Sequence, residues 1–247
     1  MKKILTFLLS LVVVMGMCTS VFATENDYAS DNKNIDVNLT DKQNVYYDES
    51  LRANVVAFTI NDDGTVNYLT KSEADEITND AGIDDVNFTE LRNNKYYGRE
   101  ALRDYRNWYV FRQTSGPTKY TGSLKKVSAD LEAPNGGGSI TTNVGYISTH
   151  FFSATIGSQD QKSAIQAGAT IGWQSSASTS TSYTVHLNPG EKGYIGFYPY
   201  YNKVTGNLEL YGNWGDGLIS TEYGVAGYSV KLTSNGEADG LYKLIYR

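Results

Sequence analysis

ATIGWQSSASTSTSYTVHLNPG, residues 169–190, is written in a two-residue rhythm. Its odd positions run Ala169, Ile171, Trp173, Ser175, Ala177, Thr179, Thr181, Tyr183, Val185 and Leu187, apolar to small, while the even positions from Thr170 to His186 are polar or glycine. A period of two is the pattern of a strand with one covered and one wetted face. Carried through to Leu187, such a strand spans on the order of 60 Å, against a usual length of about 5 to 6 residues. It therefore bends between sheets or belongs to an elongated molecule. Asn188-Pro189-Gly190 ends it in a tight turn, and Lys192–Tyr201 (KGYIGFYPYY) is expected to pair back.

Working outward, Ser139–Gly157 repeats the rhythm, with Ile140, Val144, Tyr146, Phe152, Ala154 and Ile156 on even positions and mostly Ser, Thr and Asn opposite. Ile147 and Phe151 break the alternation, which marks a bulge or two-sided burial. Between the two strands, Ser158–Gly168 has a capping serine, helix-favouring middle residues and a terminal glycine, and predicts a helix of one or two turns. Upstream, Tyr105–Phe111 is an aromatic strand, Ser115-Gly116-Pro117 is read as its turn and Tyr120–Leu131 as the returning strand. Asn207–Tyr211, Gly227–Leu232 and Leu241–Tyr246 complete the strand count. Near the start, NVVAFTI (54–60) and TVNYLT (65–70) flank Asn61-Asp62-Asp63-Gly64 as a hairpin. Lys71–Asn79 follows as a short helix, with Ser72 as its N-cap and Glu73 and Asp75 in the first turn.

The fold class is thus mainly β, an antiparallel β-sandwich with one or two short helices. Twenty tyrosines, 24 glycines and only four prolines agree with it. Four segments are expected: a signal peptide over 1–23, a flexible acidic leader over 24–44, a small hairpin-plus-helix region over 45–100 and the sandwich over 101–247. Residues 82–99 carry no clear period.

Lys2 and Lys3 precede an apolar run from Ile4 to Met17, and Val21-Phe22-Ala23 has the small residues read at a cleavage site. The run is shorter than the roughly 20 residues that span a bilayer, so secretion with cleavage after Ala23 is the reading. That segment holds two of the 21 basic residues, none of the 27 acidic ones and the single cysteine. The mature chain keeps 19 basic against 27 acidic residues, a net charge of −8, and no cysteine. A disulfide framework and a cysteine nucleophile are excluded. Nucleic acid is not an expected partner, because phosphate binding draws on lysine and arginine.

KSAIQAGATIGWQSSASTSTSYTVHLNPGEKGYIGFYPYYN (162–202) resembles a group of small secreted β-rich proteins of Gram-positive bacteria that carry no assigned activity. STSTSYTVHLNPGEKGYI (178–195) is similar to strands of the aerolysin and epsilon-toxin type of β-pore-forming protein. That likeness implies an elongated fold and a membrane-active role. Such pore-formers insert a hairpin with two Ser/Thr-rich arms, whereas the link here is helix-prone and contains Asp160 and Lys162.

Chemistry narrows the functional classes further. His150 and His186 are the only histidines, with no HExxH-like spacing or third ligand, so neither a metal nor another cofactor is expected. No G-x-S-x-G occurs, Asp130 and Glu132 read as surface acids, and Gly136–Gly138 lacks the lysine and helix start of a phosphate loop. The Asp62-Asp63 turn offers too few oxygens for calcium. The chain is read as no enzyme. Tyr194, Tyr198 and Tyr200 share one strand face, with Trp214 two short strands away, and aromatic rings stack on sugars. The expected function is a secreted, non-catalytic surface-interaction or binding protein, its partner polysaccharide, cell wall or a membrane surface. The alternative is an aerolysin-like pore.

Overall fold

The computed structural model describes residues 36–39, 44–61, 63–79, 81, 106–154, 156–172, 174, 176–212 and 217–247. Among these residues, thirteen strands and two helices follow in chain order. They are β1 (Asp36–Leu39), β2 (Tyr46–Asp48), β3 (Ala53–Ile60), β4 (Val66–Leu69), α1 (Lys71–Asn79), β5 (Asn107–Thr121), β6 (Lys125–Lys126), β7 (Leu131–Glu132), β8 (Gly138–Thr149), β9 (Phe151–Phe152), α2 (Ser158–Gly168), β10 (Ser176–Leu187), β11 (Lys192–Gly212), β12 (Gly217–Val230) and β13 (Gly240–Tyr246). Among the described residues helices are few and short, and the fold is mainly β as its alternating segments predict.

The strands form two layers. A three-stranded sheet in the order β1-β10-β8 faces a larger one in the order β2-β3-β13-β11-β12-β9, to which β4 adds beside β3 and β5, β6 and β7 beside β11. Apart from β1, which runs parallel to β10, every ladder is antiparallel. The period-two reading of the quoted stretch holds on the odd row of β10 and at the start of its even row, but not at Ser182, which is buried, or at Thr184 and His186, which are half-buried. Ala177, Thr179, Thr181, Tyr183, Val185 and Leu187 are buried, whereas Ser176 and Ser178 are exposed. The odd row meets Val56 and Phe58 of β3, Ile195, Phe197 and Tyr201 of β11, and Tyr242 and Leu244 of β13 in the main core. Aromatic rings fill its centre: Phe58 stacks on Tyr242 at 5.4 Å, and Tyr146 meets Phe197 edge-on at 5.5 Å.

Several expectations need correcting. The strand begins at Ser176, not at residue 169, because the Ala169 N–H still donates to the Ile165 carbonyl and so ends α2. The hairpin across Asn188-Pro189-Gly190 does not form. β10 has both edges taken, by β8 and β1, so the turn carries the chain from the small sheet into the large one. Lys192–Tyr201 and Asn207–Tyr211 are one 21-residue strand, β11, whose first part pairs β13 and whose second part pairs β5 and β12. Ser115-Gly116-Pro117 is likewise no turn. β5 runs through it, with Ser115 opposite Thr205 and Thr118 opposite Lys203, so the extra residues form a bulge. Gly116 sits there at φ 90°, and a Cβ on it would come 2.6 Å from the Lys203 carbonyl oxygen.

The expected flexible leader contains β1, and its Leu39 is 1% exposed in the main core. Residues 45–79 are continuous with the large sheet through the β3–β13 pairing. The β3–β4 hairpin forms with Gly64 at φ 84°. The cap of α1 is Thr70 rather than Ser72: Glu73 Oε2 accepts from both the backbone N–H and the hydroxyl of Thr70 at 2.8 Å, a capping box. α2 spans Ser158–Gly168, but Gly157 occupies the N-cap with no side-chain bond. The signal segment, residues 82–99 and Trp214 lie outside the described residues.

Candidate functional site

Tyr194, Tyr198 and Tyr200 lie on one face of β11, as the alternation requires, but the structure corrects the open platform expected of them. They are 9%, 7% and 4% exposed. Tyr198 and Tyr200 pack with Leu69 and with Ala74 of α1, and Tyr194 packs with Ala53, Val55 and Ile245. Burial pushes the Tyr198 hydroxyl up to about 12, helped by the nearby Asp48 carboxylate. The cover comes from α1 and from segments distant in sequence, which strand periodicity does not report. These rings present no sugar-stacking surface.

Exposed aromatic surface is found instead at one end of the ribbon formed by β5, β11 and β12. Trp108 on β5 is opposite Tyr211 on β11, which in turn is opposite Leu218 on β12. The Trp108 and Tyr211 rings lie near-parallel, with centroids 5.8 Å apart and planes 12° apart. Trp108 is 45% and Leu218 47% exposed, so an apolar row crosses all three strands in the open. β11 ends at Gly212 and β12 begins at Gly217 at this end.

A polar chain flanks the row. Glu209 Oε2 accepts from the Tyr211 hydroxyl at 2.7 Å and from Arg112 Nε at 3.1 Å. Those two bonds hold the Glu209 carboxyl below its ordinary range. Tyr211 is thereby fixed in orientation, and Arg112 keeps donors free, its side chain being 58% exposed. The other face of the ribbon is closed by α2, whose Ala164 and Ile165 pack with Phe111, Leu208 and Val225. Gly168 allows the close approach, since a Cβ there would lie 1.6 Å from the Phe111 carbonyl oxygen.

The remaining candidates are dispersed. His150 follows the last residue of β8, while His186 is opposite Ser139 near its start, which places them on the order of 35 Å apart along the β8–β10 pair. Asp130 and Glu132 bind different lysines, Lys126 and Lys192, each at 2.8 Å. Among the described residues no three metal-ligating side chains converge, and no helix is long and apolar enough to cross a membrane. The arrangement offers contact surface: stacking, hydrogen bonding and apolar cover.

No family model, curated protein or solved structure matches the chain.

Proposed function

We propose that this is a secreted, non-catalytic binding protein that attaches to cell-wall or other surface polysaccharide through the end of its β5–β11–β12 ribbon. The observation that carries this reading is the exposed Trp108–Tyr211 pair beside Arg112 and Glu209. A sugar ring has an apolar face that stacks on an aromatic ring and hydroxyls that bond a carboxylate or guanidinium. Pull-down of the purified chain on insoluble peptidoglycan and on neutral polysaccharides tests it. Retention by the unmodified chain, lost in Trp108→Ala and Tyr211→Ala variants that melt normally, supports the reading; no retention on any of these materials rejects it.

A membrane-active role is favoured by a different observation. β8 and β10 pair over twelve residues, with Ser139, Thr141 and Asn143 facing the same way as Ser182, Thr184 and His186, and a membrane-spanning strand needs about 9 to 11. The opposite face is lined by Val144, Tyr183, Val185 and Leu187, now engaged in the core, so insertion requires both strands to leave the large sheet. Dye release from liposomes separates the two readings. Leakage accompanied by oligomers supports insertion, and intact vesicles across several lipid compositions exclude it.

A further inference from the structure

A second concave surface lies apart from the ribbon end and shares no residue with it. It is a groove of about 900 Å³ between the β3–β4 turn, α1 and the β12–β13 connection, with Thr59, Asn61, Ile77, Lys119, Tyr200 and Asp239 among its lining. Tyr200 lies between two cations. The Lys119 ammonium sits 3.6 Å from its ring centroid and that of Lys231 at 5.8 Å. Lys231 is neutralised by Asp239 at 2.5 Å. Lys119 has no carboxylate within ion-pair distance among the described residues. Burial and the neighbouring Lys231 push its pKa down. Tyr200 is 4% exposed, and its buried hydroxyl has no hydrogen-bond partner among the described residues. The groove thus holds a partly desolvated cation, seated over the Tyr200 ring and without a carboxylate in ion-pair contact, and an anionic ligand supplies what that cation lacks.

We propose that this groove binds a single anionic group, carboxylate or phosphate, carried on a hydroxyl-rich ligand such as an acidic sugar or a polyol phosphate. Lys119 supplies the charge, held in place by the Tyr200 ring beneath it. Thr59 and Asn61 supply donors and acceptors for hydroxyls. Asp239 limits the charge tolerated, because a second anionic group beside it is repelled. The mature chain's net negative charge points the same way, toward recognition of one local group rather than attraction to a polyanion.

Calorimetric or NMR titration of the full mature chain with glucuronate, glycerol 3-phosphate and glucose tests this at millimolar concentration. Saturable binding of an anionic probe, with none for glucose, is expected, and whichever anion binds more tightly identifies the natural group. Lys119→Met should weaken that binding by about tenfold or more, the scale of a lost charge-assisted hydrogen bond, while Lys119→Arg retains most of it. Tyr200→Phe should weaken it less and leave the melting temperature unchanged or higher. A readout that needs no variant is acylation of Lys119 in the unmodified chain, which the bound anion should slow. Absence of saturation by both anions, binding unchanged in Lys119→Met, or acylation of Lys119 that the anion does not slow overturns the proposal. Polysaccharide retention by the ribbon end should persist in Lys119→Met, so failure of one site is distinguishable from failure of the other.

Discussion

Lys243 Nζ donates to Asp48 Oδ2 at 2.7 Å, with the two side chains 1% and 5% exposed. This ion pair ties β2 to β13 across the intervening β3, on the face of the large sheet that also carries Tyr198. The Ser50 hydroxyl and the Ser50 and Leu51 backbone N–H groups all donate to the other carboxylate oxygen. With so many bonds to one carboxylate, the pair is hydrogen-bonded well enough to withstand burial.

Breaking it one-sidedly leaves a charge without its counterion. Lys243→Met is expected to lower the unfolding free energy by about 3 to 5 kcal/mol, whereas replacing both partners by apolar residues of similar size is expected to recover much of that loss. Urea denaturation of the two variants against the parent chain measures it.

Acid should act through the same carboxyl. Burial alone raises its pKa, but the hydrogen bonds from Lys243, Ser50 and Leu51 outweigh it and hold Asp48 at about 2, below its ordinary 3.8. A folded pKa below the unfolded one gives stability that is complete above the unfolded value and lost as pH falls through the folded one. Stability should therefore decline between about pH 4 and pH 2. Asp48→Asn should flatten that part of the curve, read as melting temperature against pH.

Gly168 tests how α2 is seated. An alanine methyl there would be placed 1.6 Å from the Phe111 carbonyl oxygen, and backbone yields less readily than a side chain. Gly168→Ala should destabilise by about 3 kcal/mol or more, although alanine favours helix over glycine by about 1. Loss of helical signal together with stability in circular dichroism marks α2 leaving β5.

Tyr198 distinguishes a buried ring from a binding ring. At 7% exposure and packed with Ala74 and Leu241, it should destabilise the fold by about 3 to 5 kcal/mol when cut to alanine, a fall in melting temperature of roughly 10 °C. Trp108→Ala, on an open surface, should shift melting little. Thermal melts of both variants decide which tyrosines and tryptophans belong to the core.

What could be read from the chain was local. The odd row of β10 is apolar because the large sheet covers that face, so Tyr183, Val185 and Leu187 announce the core without knowledge of what lies opposite. β3, β4 and α1 are marked by neighbours within four residues, including the Thr70–Glu73 box. The expected β10–β11 pairing does not form because a Pro-Gly turn specifies a reversal, not which edge is free. Lys203–Gly206 resembles a loop by composition, yet flanking β5 and β12 hold it extended inside β11. β1 was hidden by its acidic setting, although Ile35, Val37 and Leu39 alternate with polar residues. The candidate site was the least legible part. Trp108 and Tyr211 are about a hundred residues apart, and only register brings them together. Lys119, Tyr200 and Asp239 converge through three separate connections.

Because β11 is a single unbroken backbone running from the main core into the α2-covered core, neither can melt away from the other without tearing hydrogen bonds along a shared spine. Tension applied at the ribbon end travels down that spine as shear, spread over many bonds loaded together rather than unzipped in turn. A pull on that end is thus resisted by the whole strand at once.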